Sequence, residues 1–340
     1  MNIWTCLLLA SQKVHLISTY QVNGITFYKI MNKRIAIIDL GTNTCNLLIA
    51  EYYSIDYHIL YQGKEIVKLG KNGIGNNHLT EDGLERAILA IAKHQERIRP
   101  FSPLEIMVTA TSAIRDAINK EWFAHEIKAS TGLDLQIISG EKEAELIFKG
   151  VKLAFRHIED HSLILDIGGG SNEFILTEGG VPVWKESFPL GMARIIEQVP
   201  PSDPITADEI QQIDHWFESR LEALWKRMQN VPISMLIGCS GAFDSLVDLI
   251  DQTEPGTQTR IRQEITLYDF NRIYEQLIAS TIAQRMKMKG LESIRIEMIV
   301  PSVIFIKMII ERLNIQHIIQ TDYALREGVL YEQIFPSSLV

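Results

Sequence analysis

Short continuous apolar runs alternate along the chain with stretches whose apolar residues recur at helical spacing, the pattern of strands and amphipathic helices in an α/β protein. Residues 35–40 form the first such run, and a turn of small polar residues separates it from a second apolar segment ending near Glu51. Residues 57–69 continue as strand. Thr80-Glu81-Asp82-Gly83 reads as a helix start, after which Leu84, Ala87, Ile88, Ile91 and Ala92 mark one helical face. Residues 105–111 read as a buried strand leading into a helix that carries Arg115. A shorter strand over 135–138 precedes an amphipathic helix reaching Phe155, with Ser139 placed to cap it. Further on, the pattern predicts a strand over 181–186 and a turn into a helix over 187–194. Pro200-Pro201-Ser202-Asp203-Pro204 is the clearest breaker, followed by one helix over 207–230. An apolar run over 235–239 turns into a helix, and the remainder reads as helices over 267–285, 297–313 and 323–334 with a short strand over 317–320.

One of these patterns occurs twice. Shifting the chain by 127 positions lays Ile37-Ile38-Asp39-Leu40-Gly41-Thr42-Asn43-Thr44 over Ile164-Leu165-Asp166-Ile167-Gly168-Gly169-Gly170-Ser171, and both copies then enter another apolar segment. Glycine permits close approach by a ligand, and small hydroxyl residues leave backbone N–H groups free, so each turn can form a nest for phosphate oxygens. The preceding aspartate would repel a bare phosphate. It makes sense with a hard cation such as Mg²⁺ between them, since Mg²⁺ takes one or two carboxylates, waters and phosphate oxygens. An ordinary β-hairpin also uses Asp and Gly, but two copies in register weigh against that reading.

Composition narrows the field. A chain of 340 residues with 46% hydrophobic content accommodates two domains, each with its own core. The net charge of −9 argues against broad binding to nucleic acid or anionic membranes. Cys6, Cys45 and Cys239 lie far apart without metal-ligand spacing, which suits a reducing compartment and places the protein in the cytoplasm. The apolar run over 3–10 is too short to span a bilayer. Residues 1–30 lack clean periodicity, and Met31 stands immediately before the first functional strand. The expectation is that residues 1–30 are a non-native extension and Met31 the true start.

Candidate chemistry gathers beside these turns. Arg115 follows a strand's carboxyl end, where an oxyanion clamp belongs in an open α/β sheet; the alternative is a helix-surface pairing with Asp116 or a nearby acid. Glu141 and Glu143 fall in the first turn of the helix capped by Ser139, where carboxylates are stabilised. The position between the two turns also suits Glu143 as a general base toward water. Glu173, two residues after Ser171, could coordinate a metal or steady that water. Lys64, Lys68 and Lys71 form either a solvated face or a local cation cluster. Arg295 is a further phosphate candidate, with a surface ion pair as the alternative. The segment Gly238-Cys239-Ser240-Gly241-Ala242 lacks the last glycine of a nucleophile elbow, and Cys239 has no base beside it, so neither is read as a nucleophile.

Together the motifs DLGTNT (39–44), TSAIRDA (111–117), SGEKEAELIFKGV (139–151), DIGGGSNE (166–173), PLGMAR (189–194), IGCSGAF (237–243) and DYALREGVL (322–330) resemble the Ppx/GppA family of exopolyphosphatases and guanosine pentaphosphate phosphohydrolases. That resemblance implies two ribonuclease H-like domains of the actin, hexokinase and Hsp70 superfamily around a central cleft. Domain I would span 31–148 and domain II 149–322, each with one phosphate loop, and a C-terminal helix over 323–340 is expected to pack back on domain I. It implies Glu143 as the catalytic glutamate, Arg115 as a substrate-phosphate arginine, Glu173 as the acid closing the second loop, and Asp39 and Asp166 as the acids associated with Mg²⁺. Phosphate contacts would come from Gly41, Thr42, Asn43, Thr44, Gly168, Gly169, Gly170, Ser171 and Arg295. The chain looks like the short form, without a C-terminal HD-type module.

The chain also departs from the pattern. Lys142 replaces the first acid of a Glu-Glu pair, Glu145 stands where many members have Arg, and Cys45 and Asn46 occupy positions often aromatic and then His or Arg. Glu297 and Ser302 replace a frequent Asp and Gly. The added negative charge is expected near the cleft, weakening affinity for long polyanions. The implied activity is Mg²⁺-dependent removal of the terminal phosphoryl of inorganic polyphosphate. The alternatives are 5'-phosphohydrolysis of guanosine pentaphosphate (pppGpp), an ATP-dependent kinase of the same superfamily, or a non-catalytic polyphosphate sensor. A homodimer is expected from the family's habit, with no nucleic-acid or membrane partner.

Overall fold

The computed structural model describes residues 17–22, 25–30, 32–71 and 73–336. Within the expected extension it contains a hairpin, β1 (Ile17–Val22) and β2 (Ile25–Ile30), paired only with itself; Met31 and Cys6 lie outside the described residues. The first of two larger sheets begins with β3 (Lys33–Leu40), β4 (Thr44–Tyr53) and β5 (Asp56–Ile66), an antiparallel meander. After α1 (Glu81–Ile98) the chain returns as β6 (Glu105–Ala110), parallel to β3 on its other side. It then forms α2 (Ser112–Arg115), α3 (Lys120–Thr131), β7 (Leu135–Ile137) and α4 (Gly140–Ala154), giving the strand order β5-β4-β3-β6-β7.

The second sheet repeats the plan. An antiparallel meander of β8 (Ser162–Ile167), β9 (Asn172–Glu178) and β10 (Val181–Phe188) is followed by the helices α5 (Met192–Gln198), α6 (Ala207–Glu218) and α7 (Glu222–Met228). Then β11 (Met235–Cys239) pairs parallel with β8, as β6 does with β3. The chain continues through α8 (Ser240–Asp251), β12 (Gln263–Ile265), α9 (Leu267–Ile278), α10 (Ile282–Arg285), α11 (Ile299–Arg312), β13 (Ile318–Thr321) and α12 (Leu325–Ile334). The strand order is β10-β9-β8-β11-β13-β12. Asp39 pairs with Asn46 across the first hairpin and Asp166 with Glu173 across the second, so the sequence repeat is also a repeat of register.

Side-chain alternation along β3 explains the layering. Ala36, Ile38 and Leu40 face a core built with α1 and α3, while Ile35 and Ile37 face a second core shared with α4 and α12. Ile164 and Ile175 of the second sheet enter that same shared core, so α4 and α12 are a layer between the two sheets. Each fully buried Ile or Leu there contributes about 1.5–3 kcal/mol. The two helices cross in close contact: a Cβ on Gly150 would stand 1.9 Å from the Ala324 carbonyl oxygen, and one on Gly328 would stand 1.8 Å from that of Leu146. The C-terminal helix α12 also packs on β3 and β4.

Two expected long helices are each broken in two. Between α6 and α7, the Ser219 hydroxyl and Arg220 guanidinium donate to the Trp216 carbonyl at 3.3 and 3.1 Å, while the Arg220 N–H turns to Phe217 at 3.0 Å. That competition for a helical acceptor ends the helix. Between α9 and α10 the Ser280 hydroxyl donates to the Leu277 carbonyl at 2.6 Å, and Thr281 starts a new capping box with Gln284. The strand expected over 181–186 runs on to Phe188, so Ser187 belongs to β10 rather than to a turn. No helix among the described residues is long and apolar enough to cross a membrane.

Candidate active site

Both repeated turns close in the same way. The Gly41 N–H donates to the Thr44 carbonyl at 2.9 Å, and the Gly168 N–H to the Ser171 carbonyl at 3.0 Å. Their remaining carbonyls are engaged from the neighbouring segments: Leu69 N–H to Thr42 at 2.7 Å, Met192 N–H to Gly168 at 3.0 Å and Ala193 N–H to Gly169 at 2.8 Å. The N–H groups of Thr42, Asn43, Gly169 and Gly170 find no acceptor among the described residues. These free N–H groups leave each turn ready to receive an anion.

The two turns meet across the space between the sheets. A Cβ on Gly169 would stand 2.2 Å from the Asn43 amide nitrogen, and one on Gly170 would stand 2.5 Å from the Ser112 hydroxyl and 2.7 Å from that of Thr42. A side chain at either glycine would have to displace the Asn43 amide or the Ser112 and Thr42 hydroxyls. Between and beside them lies a cavity of about 360 Å³. Asp39, Gly41, Thr42, Asn43, Thr44, Glu143, Asp166, Gly168, Gly169, Gly170, Ser171, Glu173 and Arg295 all line it.

Beside the two turns, the carboxylates of Asp39, Glu143, Asp166 and Glu173 face this space, and all four hold their protons more tightly than usual. Burial raises Asp39, against an opposing hydrogen bond from Asn46 at 3.2 Å. Burial and then the nearby Glu173 push Asp166 up to about 7. Burial likewise raises Glu173, whose carboxylate accepts from the Ser187 hydroxyl at 2.6 Å. Glu143, in the first turn of α4 with Ser139 capping as expected, is raised well above its ordinary value by burial and by Glu173. Arg115, 2.5 Å from Glu143, pulls the other way.

Arg115 is the candidate whose expected placement changes. It stands just outside the cavity lining, with its guanidinium divided between Glu143 and Asp116, the latter at 3.2 Å, the acid pairing that the sequence offers as its alternative. Arg295 stands in the cavity, where a phosphate ligand is expected, and not in the surface ion pair of the alternative reading. It makes no ion pair among the described residues, lies against Gly241 at the start of α8, and leaves a buried Nε without a hydrogen-bond partner. Of the three lysines, Lys64 reaches the cavity rim, where it pairs with Glu292 at 2.9 Å.

The expected surplus charge from Lys142 and Glu145 falls elsewhere. Lys142 and Lys149 bind Glu145 on α4 and Glu332 on α12, and none of these four lines the cavity. Asp244, Asp248 and Asp322, acids the motifs do not single out, line the cavity's other half, where Arg260 pairs with Asp248 at 2.8 Å. The Gln320 amide donates to Asp244 at 2.9 Å and to Asp322 at 2.6 Å, and burial raises Asp322 to about 6. Ser187 was also missed; its partnership with Glu173 is visible only in the register of β9 with β10.

The carboxylate oxygens of Asp39 and Asp166 beside the turns suit a hard divalent cation, and carboxylates whose proton affinity is raised together are short of positive charge. No three His, Cys, Asp or Glu side chains among the described residues form a complete metal cage.

The model of the Ppx/GppA phosphatase family matches residues 48–335. A bifunctional 3-dehydroquinate synthase/phosphatase of Fusobacterium nucleatum is 30% identical over 321 residues, 88% of this chain; the chain spans 46% of that relative's length. Exopolyphosphatase 1 of Mycobacterium tuberculosis is 25% identical over 303 residues, covering 88% of each chain. The crystal structure of an exopolyphosphatase from Cytophaga hutchinsonii superposes with a TM-score of 0.84 at 35% identity, over 89% of this chain and 98% of that one.

Proposed function

This chain belongs to the Ppx/GppA phosphatase family, and from that premise we propose that it is an exopolyphosphatase, releasing orthophosphate from the end of an inorganic polyphosphate chain. The observation that carries this reading is the meeting of two N–H cradles across a cavity into which Glu143 projects. The likeness to the Cytophaga and Mycobacterium exopolyphosphatases supports the same substrate.

In this reading the terminal phosphoryl group sits between the turns and takes hydrogen bonds from the N–H groups of Thr42, Asn43, Gly169 and Gly170. Those donors are fixed before the reaction and face the charge that develops on the phosphoryl oxygens. Glu143 accepts a proton from a water attacking phosphorus in line. The anhydride P–O bond breaks, its electron pair leaves with the shortened chain, and orthophosphate departs. Burial and the nearby Glu173 raise the proton affinity of Glu143, which strengthens it as a base, and Arg115 opposes that rise. Asp39 and Asp166 would hold Mg²⁺, directly or through water, and the bound ion would supply Lewis-acid neutralisation of phosphate charge. A cytoplasmic homodimer belongs to the same proposal, and the buried free thiols of Cys45 and Cys239 suit a reducing compartment.

A second reading, pppGpp 5'-phosphohydrolase, is favoured by the acids in the cavity's other half. Asp244 and Asp322 repel a continuing polyanion but accept hydrogen bonds from ribose hydroxyls and base amino groups, while Asp248 is held by Arg260 at 2.8 Å. Orthophosphate release from polyphosphates of several lengths, pppGpp and ATP, with and without Mg²⁺, separates the readings. Polyphosphate turnover supports the first, and preference for pppGpp the second. ATP consumption that depends on a small acceptor would indicate a kinase, and binding without release a sensor. Within the hydrolase readings, Glu143→Gln should retain binding and lose roughly 10² or more in kcat, and full activity would remove Glu143 from the mechanism.

A further inference from the structure

Arg194 on α5 was noticed in the sequence only as the end of a motif, yet it joins the two halves of the site. Its Nε donates to the Gly170 carbonyl at 2.9 Å, behind the second cradle. One terminal nitrogen reaches Asp116 at 2.8 Å, and the other donates to the Asn77 side chain at 3.1 Å and the Ile74 carbonyl at 3.2 Å, all on the first domain. Asp116 in turn accepts from Arg115, which holds Glu143. A continuous chain of charge-assisted bonds therefore runs from the back of the second phosphate loop to the candidate base. None of Arg194, Asp116 and Arg115 lines the cavity.

We propose that Arg194 is a positioning residue: gripped to Asp116, it sets the Gly170 peptide and the Arg115–Glu143 pair at a fixed spacing, so that phosphoryl group and base are aligned. The inference rests on the hydrolase reading above. The planar guanidinium fork suits this task because it engages a carbonyl and a carboxylate at once in fixed geometry, which a lysine ammonium cannot do. The same helix offers an internal comparison. Glu197 also crosses to the first domain, accepting from the Gly75 N–H at 3.0 Å, but it touches neither Gly170 nor Asp116. Loss of Glu197 weakens the contact between domains and leaves the chain to Glu143 intact.

The test measures orthophosphate release from Mg²⁺–tripolyphosphate by wild type, Arg194→Ala, Arg194→Lys, Asp116→Asn, the double variant Arg194→Ala/Asp116→Asn, and Glu197→Gln, with circular dichroism and thermal melts to confirm folding. Misplacement of reacting groups by about 1 Å costs up to about 10²-fold, so Arg194→Ala and Asp116→Asn should each lower kcat about 10- to 100-fold with KM changed less than about threefold. The double variant should lose no more than the worse single one, as for two links of one chain. Arg194→Lys should fold like wild type and still lose kcat, while Glu197→Gln keeps it. Unchanged kcat in Arg194→Ala, additive losses in the double variant, or an equal loss in Glu197→Gln would each overturn the proposal, the last by reducing Arg194 to a staple between domains. A wild-type protein that released no orthophosphate would overturn the functional reading and this inference with it.

Discussion

The buried acids of the cavity should make the metal-free protein lose stability as pH rises, opposite to the usual behaviour of paired carboxylates. Asp166 shows the sign. Its carboxyl is displaced in the folded protein from 3.8 to about 7, mainly by burial. Between those values the unfolded chain has released a proton that the folded chain retains, so unfolding becomes easier with each step in pH until about 7 and then levels off. A displacement of that size corresponds to on the order of 4 kcal/mol. Asp39, Glu143 and Glu173 are raised as well and act in the same direction. His94, held low by burial, opposes them below 6.5. Acids held low by cationic partners, such as Glu145 and Glu332, add stability above 4.5 and lose it below, so their windows close before pH 5.

The perturbation is therefore a pH change from 5 to 8 in EDTA, read by calorimetric or fluorescence melts, then repeated with Mg²⁺. The wild-type Tm should fall by several degrees across that range, at roughly 2–4 °C per kcal/mol for a domain of ordinary size. Asp166→Asn, which has no proton to lose there, should show a shallower fall. A bound cation competes with those protons, so Mg²⁺ should raise the Tm more at pH 8 than at pH 5. A Tm that is flat or rises from pH 5 to 7 in EDTA, or an equal slope in Asp166→Asn, would refute the assignment of these acids. A Mg²⁺ increment independent of pH would remove the metal from Asp166.

Gly170→Ala should drive the cradles apart, since its Cβ would stand 2.5 Å from the Ser112 hydroxyl; an expected loss of about 10² in kcat/KM is read by phosphate release, and an unchanged rate would separate the turns functionally. Gly328→Ala places a Cβ 1.8 Å from the Leu146 carbonyl oxygen and should cost about 1–3 kcal/mol or more in urea unfolding, with wild-type stability contradicting the close helix crossing. Cys45 and Cys239 are fully buried and burial raises both thiols, so peptide mapping after iodoacetamide should find both unmodified in the native protein and modified in denaturant; rapid native labelling of Cys239 would reopen it as a nucleophile.

What could be read in advance was local. The strands β3 and β8, the paired turns and the caps at Thr80 and Ser139 announce themselves through neighbouring residues, and the structure contains them. The breaks near Ser219 and Ser280 depend on side chains taking a backbone acceptor, which apolar spacing does not record. The helix α3 went unread because only Phe123 and Ile127 of its residues are buried, too thin a stripe to mark a face. The strand β12 is three residues long and owes its existence to pairing with β13. In the site, the turns were legible through repetition, whereas the direction of Arg115 is decided by Glu143 on another helix. The Asp244–Gln320–Asp322 group forms only where β11 brings the start of α8 beside β13.

The placement of Glu143 follows from the layer on which it is mounted. Its helix α4 belongs to neither sheet alone: the shared core takes Ile35 and Ile37 from one, Ile164 and Ile175 from the other, and α4 with α12 between them. A helix gripped from both sides must present its first turn at the seam, and at that seam the two cradles also meet. The positive end of the helix and Arg115 then oppose the cost of burying the Glu143 charge, while Glu173 maintains its affinity for a proton. In the proposed hydrolysis, duplication of the strand–turn–strand unit would supply two phosphate grips, and the helix that joins the two copies would supply the one group they lack, a base.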